Sequence, residues 1–452
     1  MNTTSTSGET RRDFIKKAAA VAAAVGAANV LKTPVYGQNQ APSSGRVIGA
    51  NDRISVGYIG TGKQGMEHVK FQKKFASDNN IAQVATCDLY QKHLDTSKSH
   101  MGLKDADAYR DYRKLLERKD IDAIVTAPVD TWHAQVTIDA LESGKHVFCE
   151  KPMTRYLAEA FQVYDTVKRT GKTYVIGSQG CMDPKWHQAA KWVKAGRLGP
   201  LVWGQASYCR NNKDNDEWEF PSDPGVSEQN LDWNMWLGRT PKIPFDAHRY
   251  FCWHKYYTYN SGIIGNLLPH RFMPLMLASG NPEFPRRVVC TGTRKVSTNR
   301  EISDTTHLLA EFPAGLTLVI AGSTVNQIGL EEILRGQKAT LHFASQGNKI
   351  ELKPESIYSE TPGIEADEFN ASQPTEQIPV LEKNFFDCIR SGAMPVANVE
   401  LAIRAQTVLC MAEMSERLGL ALFFDEQSRT LKSGDGRVVP PLTYDSVVPK
   451  MG

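Results

Sequence analysis

The sequence predicts an α/β protein, with a doubly wound parallel sheet first and a strand-rich α+β domain after it. Three observations carry this prediction. A β-branched run, Ile54 to Ile59, leads into glycines at 60, 62 and 65. Strand-like and helix-like segments then alternate to about residue 179. Beyond residue 180, period-two runs and hairpin signals replace that alternation.

The first segment lies outside both domains. Thr10-Arg11-Arg12-Asp13-Phe14-Ile15-Lys16 precedes an alanine-rich apolar run, Ala18 to Val30. That run is too short to span a bilayer, and no polar face interrupts it. The arginine pair, with phenylalanine two places on, resembles a twin-arginine export signal. Residues 1–37 are therefore expected to be a twin-arginine signal peptide, with a periplasmic or exported destination. Residues 38–50, rich in Gln, Ser and Pro, read as a flexible lead-in.

The formal charge of +3 comes from the leader: residues 1–37 hold five Lys/Arg and two Asp/Glu, which leaves 48 of each beyond it. A neutral remainder without a basic cluster argues against nucleic acid, and against any membrane role beyond export. The eight cysteines form no C-x-x-C pair. Cys87 and Cys149 end buried strands, where cysteine acts as a small hydrophobe. No metal-ligand spacing and no repeat is present, so no metal is expected.

The glycine stretch, Gly60-Thr-Gly62-Lys63-Gln64-Gly65, has the physics of a dinucleotide turn. Gly60 permits the tight bend and Gly62 the close approach of a pyrophosphate. Gly65 lets the following helix pack on the strand with its N-terminal N–H groups facing the anion. Met66, Val69 and Phe71 form that helix's short apolar face. The next strand, Ile81 to Cys87, ends in Asp88, at the spacing of a ribose-binding acid. A carboxylate there accepts from a ribose 2′-OH and repels a 2′-phosphate. NAD is expected, and Lys92 leaves NADP open.

Ile121 to Thr126 reads as the next strand, and Thr131 to Leu141 as a helix with Thr131 as its candidate N-cap. His146 to Cys149, Leu157 to Thr170 and Thr173 to Ile176 continue the strand–helix–strand order. Ligands of such sheets bind beyond the carboxyl ends of the strands. The polar residues there are candidate cofactor contacts together with the turn: Asp88, Asp130, His133, Glu150, Lys151 and Gln179. Residues 51–179 are thus the expected NAD(P)-binding Rossmann domain.

Gly144-Lys-His-Val-Phe-Cys-Glu150-Lys151-Pro152-Met153, preceded by Asp130-Thr-Trp-His133 and the glycine fingerprint, resembles the Gfo/Idh/MocA (glucose–fructose oxidoreductase/inositol dehydrogenase/MocA) family. The resemblance continues through Gly196-Arg-Leu-Gly-Pro200, Trp236-Leu-Gly and Ser261-Gly262-Ile-Ile-Gly-Asn266-Leu-Leu-Pro-His270. It implies a C-terminal domain, residues 180–452, built on an open, mostly antiparallel sheet for substrate binding and oligomerisation, and a homo-oligomer. It also implies a small carbohydrate substrate, a sugar or cyclitol whose hydroxyl is oxidised or reduced with a nicotinamide cofactor. Lys151 would contact the reacting hydroxyl and His270 would be its acid–base partner. The chemistry agrees: hydride loss from a secondary alcohol needs a base for the proton and a cation to hold the oxygen. One departure stands out. Relatives commonly carry an aspartate four residues before this histidine, on the same helical face, and here it is Asn266. Asn266 can hydrogen-bond at the catalytic centre but can neither take a proton nor stabilise an imidazolium by charge. Val129 replaces a proline that many relatives carry, a change expected to matter little.

In the second domain, Leu201 to Tyr208 alternates as a strand. Thr306 to Phe312 and Leu316 to Ala321 flank Pro313-Ala-Gly315 as a hairpin. Lys338 to Phe343 and Ile350 to Leu352 extend the sheet. Val380 to Ile389 and Val399 to Leu418 read as helices, the latter with Gly419 past its end. Between the first strand and His270 lies an insertion, Asn211 to Tyr259, rich in Trp and Tyr. These rings either stack on sugar faces or form the insertion's own core or a subunit contact.

Three function classes follow: an NAD(P)-dependent sugar or cyclitol oxidoreductase; an NAD-dependent, redox-neutral glycosidase or lyase with retained cofactor; and a non-catalytic sugar binder. Glu-Lys-Pro favours the first, because glycosidase-type relatives do not usually carry it. Asn266 and the export signal favour the second. Lys151 and His270 argue against the third, since a binder needs no acid–base pair.

Overall fold

The computed structural model describes residues 52–212, 217–344 and 347–447, so the expected signal peptide and lead-in lie outside the described residues. The Rossmann domain begins with β1 (Ile54–Ile59), buried at all six positions, and α1 (Lys63–Lys74). It continues through β2 (Ile81–Cys87), α2 (Gln91–Met101), β3 (Ala108–Tyr109), α3 (Tyr112–Leu116) and β4 (Ala123–Thr126). Then come α4 (Asp130–Glu142), β5 (His146–Cys149), α5 (Leu157–Thr170) and β6 (Tyr174–Ile176). The six strands lie in the order β3-β2-β1-β4-β5-β6 and pair in parallel throughout. The chain direction across the sheet reverses between β1 and β4, which opens a crevice beyond their carboxyl ends.

Two local expectations are corrected. Helix α4 starts at Asp130 after Val129, whose carbonyl accepts from Trp132 N at 2.9 Å, so Thr131 lies inside the helix and is not its cap. The inner face of α1 carries His68 and Gln72 beside Val69, while Met66 and Phe71 are only partly buried. Polar residues occupy this face because they bond a buried carboxylate of the second domain.

The second domain runs through α6 (Pro184–Lys194), β7 (Leu201–Cys209), α7 (Trp233–Leu237), α8 (Ala247–Phe251), α9 (Ile263–Asn266) and α10 (Pro269–Ala278). Next come β8 (Arg287–Thr293), β9 (Thr305–Glu311), β10 (Thr317–Ser323), β11 (Glu332–Gly336), β12 (Ala339–Phe343), β13 (Asn348–Pro354) and β14 (Asp367–Ala371). Helices α11 (Ile378–Ser391) and α12 (Val399–Leu418) follow, then β15 (Leu422–Asp425) and β16 (Thr430–Ser433). Ten strands form one open sheet, β14-β13-β12-β11-β7-β10-β9-β8-β15-β16, in which β7 and β10 pair in parallel and the other recorded ladders are antiparallel. The β9–β10 hairpin turns at Gly315, whose φ of +95° suits a residue without Cβ. Helix α12 is buried nearly all round because it packs on β8 and α5 at once, joining the two domains. Gly419 closes it in the left-handed conformation, as the sequence predicts.

The aromatic insertion folds onto the Rossmann domain. Trp233, Trp236, Tyr250 and Tyr259 cluster with Tyr90 and Val129. The main chain is tied as well: Gln91 N donates to Asn230 O at 2.8 Å and Asp232 N to Leu89 O at 3.1 Å. Trp132 Nε1 donates to Trp236 O at 3.1 Å.

Candidate active site

Every site residue nominated from the sequence except Gly65 lines one cavity of about 670 Å³ between the two domains. Gly65 does the packing expected of it, since a Cβ there would lie 1.9 Å from Gly60 O. Gly60 has φ +78°, and its Cβ would meet Pro128 N at 2.5 Å. At Gly62 the nearest atoms to a built Cβ belong to His93, at 3.6 Å, so the turn presents bare backbone to the cavity. No side chain caps the N-terminus of α1 there. A pyrophosphate fits this cradle on both steric and electrostatic grounds.

Asp88, at the end of β2, accepts from Thr61 N (2.7 Å) and Tyr90 N (2.8 Å). Each oxygen keeps a lone pair beyond these bonds, and the residue lines the cavity, so a ribose hydroxyl can be accepted as well. Lys92, which left NADP open, ion-pairs instead with Asp223 of the insertion. That pairing engages the Lys92 ammonium and does not leave it as a spare cation for a 2′-phosphate.

Glu150 ends β5 and sits in a hydrogen-bonded network. Its Oε1 accepts from Gln64 Nε2 at 2.9 Å and lies 2.9 Å from His68 Nε2, while Oε2 accepts from Lys151 N at 3.0 Å. His68 Nδ1 lies 2.7 Å from Glu382 Oε1 on α11. Burial alone would deprotonate His68, but its bonds to Glu150 and Glu382 win and lift it to about 10. Burial likewise opposes the Glu150 charge, yet the His68 cation pulls that carboxyl down to about 2. Gly177 makes room for this group, since a Cβ there would stand 2.8 Å from Glu150 Oε2. Buried Arg155, on the loop after Pro152, ion-pairs Glu413 of α12 at 2.6 Å and fixes that loop from its far side.

Lys151 Nζ donates to the backbone oxygen of Asn266 at 3.1 Å and lies 3.4 Å from its Oδ1. Asn266 Nδ2 in turn donates to Asn260 Oδ1 at 3.1 Å. The expectation that Asn266 shares a helical face with His270 is corrected: α9 ends at Asn266, and a separate helix carries His270. The break, at Leu267 and Leu268 before Pro269, turns the amide to Lys151. His270 packs on Tyr208, with ring centroids 5.3 Å apart. Burial, then the nearby Lys151 charge, holds His270 neutral at about 3. Burial also lowers Lys151, against the attraction of Glu150 and Asp130.

Asp130 is 2 % exposed and its Oδ2 has no partner among the described residues. Burial raises it to about 7 in spite of Lys151 and Arg155. His133, which burial keeps neutral, has Nδ1 2.6 Å from Pro152 O and Nε2 3.2 Å from Pro128 O. A neutral imidazole has one N–H, so the shorter contact is the bond, and it braces the Glu-Lys-Pro loop. Gln179 lies on the cavity wall in the short 3₁₀ turn before α6.

The same wall also carries Tyr208, Arg210, Phe220 and His254, which no motif in the sequence singles out, beside Trp218 and Trp253 of the aromatic insertion. Tyr208 and Arg210 come from the end of β7, where Arg210 bonds Glu217 at 2.9 Å and the Tyr208 hydroxyl at 2.9 Å. Trp218, Phe220, Trp253 and His254 come from the insertion, and Phe220 sits under the Lys63 ammonium at 4.7 Å. Its aromatic density was the available signal, and the rings turn out to divide between a core of their own and the cavity. No metal was expected, yet the insertion also brings Glu219, His248 and Cys252 together, their ligand atoms within 4.8 Å of one another. Glu219 there is ion-paired to buried Lys255, and Cys252 Sγ bonds the Phe220 backbone at 3.3 Å, so the trio is satisfied internally.

Comparison with known proteins agrees with this geometry. The Gfo/Idh/MocA oxidoreductase model for the NAD-binding Rossmann fold matches residues 54–178, and its C-terminal alpha/beta domain matches residues 222–438. The TAT signal of the ubiquitinol-cytochrome C reductase Fe-S subunit matches residues 1–32, a twin-arginine export signal. No helix among the described residues is long and apolar enough to cross a membrane. Among curated relatives, the alpha-N-acetylgalactosaminidase of Shewanella oneidensis is 33% identical over 211 residues, 44% of this chain and 45% of that protein. A glycosyl hydrolase family 109 protein of Shewanella baltica is 32% identical over 212 residues, with the same coverage. The chain spans about half the length of the curated relatives it matches. Among solved structures, the aldose-aldose oxidoreductase of Caulobacter crescentus complexed with glycerol superposes with a TM-score of 0.61 at 18% identity, covering 82% of this chain and 100% of that one. A levoglucosan dehydrogenase with NADH and levoglucosan gives 0.61 at 15% identity, covering 84% and 99%. At such identities these structures establish the fold alone.

Proposed function

Since the chain belongs to the Gfo/Idh/MocA oxidoreductase family and carries its NAD-binding Rossmann domain, we propose that it is an NAD-dependent oxidoreductase acting on a hydroxyl-bearing carbon of a sugar or cyclitol. One observation carries the reading: Lys151, anchored 3.1 Å from Asn266 O, shares a cavity with His270 and with the bare backbone of the glycine turn. Bound NAD supplies the hydride acceptor. Gly60, Gly62, Lys63 and Gln64 would hold its phosphates and Asp88 its ribose, with Asp130, His133, Glu150 and Gln179 shaping the nicotinamide end. Lys151 holds the reacting oxygen through its ammonium. His270 is neutral and can accept a hydrogen bond from the same hydroxyl. The neutral imidazole of His270 is the base open to the hydroxyl proton, while the Lys151 ammonium, held by Asn266, steadies the oxygen. Asn266 then has a role in place of an aspartate: it aims Lys151 and does not charge-stabilise His270.

A second reading is a redox-neutral glycosidase that retains its NAD. It is supported by the curated relatives named above and by the insertion, which closes over the cavity from Trp218 to His254. Protein purified without added cofactor, then denatured, should release NAD; the amount per chain separates retention from exchange. A panel of free sugars and glycosides, followed for both product and NADH absorbance, separates the two chemistries. Glycoside cleavage without net NADH selects the second reading, and NADH formed at each turnover selects the first. Lys151→Met should abolish turnover and spare NAD binding. Equal loss of both would place Lys151 in the cofactor site and remove it from the chemistry.

A further inference from the structure

Trp218, Trp253 and His254 share one wall of the cavity and have no part in the chemistry assigned above. His254 stacks on Trp253, with centroids 3.7 Å apart at 22°, and lies nearly parallel to Trp218 at 6.0 Å and 8°. Phe220 meets its edge at 5.7 Å. The ring is held by stacking, because its Nδ1 is buried with no hydrogen-bond partner among the described residues. An unpartnered buried N–H is the costlier of the two options, so the proton belongs on Nε2, the edge left to face the cavity. Burial and the charges of Lys151 and Lys63 keep the ring neutral, at about 3, so this edge is a donor across the physiological range.

The backbone gives a second, independent observation. Trp218 has φ +69°, a left-handed conformation that a bulky aromatic residue rarely adopts. Such outliers persist where the surroundings over-determine them, and they concentrate at ligand clamps. Here Arg300 lies over the indole at 5.5 Å and donates to Glu217 O at 3.4 Å, pinning the residue in place. Trp218 is 6 % exposed, its indole held between Arg300 and His254, so it backs the wall and meets the cavity only at its edge.

We propose that Trp253 and His254, backed by Trp218, form a sugar-ring subsite, in which the Trp253 indole packs on the apolar face of a pyranose and His254 Nε2–H donates to an oxygen of that ring's substituents. His254 is then a specificity-determining residue, separate from the Lys151–His270 pair. The N–H donor needs an oxygen acceptor, and the aromatic wall selects a ring over an open-chain polyol. This inference rests on the reading of the cavity as a sugar site and names its second point of contact.

The test compares the mature, NAD-loaded protein with its His254→Phe and His254→Gln variants on the best sugar of the panel. Phenylalanine keeps the stack and removes the donor, so kcat/KM should fall about tenfold or more, chiefly through KM. Glutamine restores a donor of similar reach and should recover most of that loss. NAD content per chain should stay unchanged in both variants. Activity of His254→Phe within twofold of wild type would reduce the residue to packing and overturn the proposal. Loss of NAD from both variants would assign His254 to the cofactor and overturn it equally. Tryptophan fluorescence titrated with the same sugars keeps the two readings apart. Sugar binding without turnover sinks the oxidoreductase reading and leaves the subsite standing, whereas absence of both sinks the two together.

Discussion

Replacing His68 with glutamine tests the buried network under the active-site loop. In the folded protein the imidazolium bridges Glu150 and Glu382, all three being buried. A rise of the ring from 6.5 to about 10 corresponds to about 5 kcal/mol of preference for the protonated form in the folded state. The fall of Glu150 from 4.5 to about 2 corresponds to about 3 kcal/mol. The two figures describe one contact from its two ends and are not added. Breaking a buried pair by removing one partner costs about 3–5 kcal/mol, because the other charge is left behind. Since the folded pKa of His68 is raised, its contribution is complete below pH 6.5 and is lost as pH climbs through about 10. Urea unfolding of wild type and His68→Gln, both stripped of nucleotide, should therefore differ by about 3–5 kcal/mol at pH 6 and progressively less toward pH 10. A difference below about 1 kcal/mol at pH 6, or one that does not shrink with pH, would refute the ionic account of this network.

Two further outcomes follow from the carboxylates. Asp88→Ala should weaken NAD by about 1.5–3 kcal/mol and NADP by less, because only NAD offers the 2′-OH that a charged acceptor binds. The bonds from Asp88 to Thr61 and Tyr90 are lost for either cofactor, so the ratio of the two affinities is the measurement, and an unchanged ratio would sink the ribose assignment. Burial raises Asp130 from 3.8 to about 7, so the folded state holds this proton more tightly than the unfolded one and stability drops as pH rises across that interval. Asp130→Asn should accordingly be the more stable protein at pH 8, by up to about 4 kcal/mol, and an equal or lower urea midpoint would show that Lys151 already compensates the charge.

What the sequence by itself determined was everything carried by local pattern. The run Ile54–Ile59 with glycines at 60, 62 and 65 specifies a strand, a turn and a helix start, because only residues without Cβ fit at Gly60 and Gly65. Helix α12 and the β9–β10 hairpin were legible for the same reason: an unbroken helix-forming run ended by Gly419, and a Pro-Ala-Gly turn between alternating runs, are local signals. Lys151 and His270 were named from short motifs, and both line the cavity. Tertiary structure alone decided what those residues face. Asn266 reads four places before His270 as its partner, yet the break between α9 and α10 gives it to Lys151. His68 looks like a surface residue of a short amphipathic helix until Glu382, 314 positions later, arrives beside it. His254 is one ring in an aromatic-rich insertion, and only the folding of that insertion over the crevice sets it on the cavity wall with Nδ1 buried and unpartnered among the described residues. The division is physical: backbone sterics and side-chain periodicity act within a few residues and leave their mark on the sequence. The pairing of buried charges and amides depends on which elements meet in space, and no local pattern records that meeting.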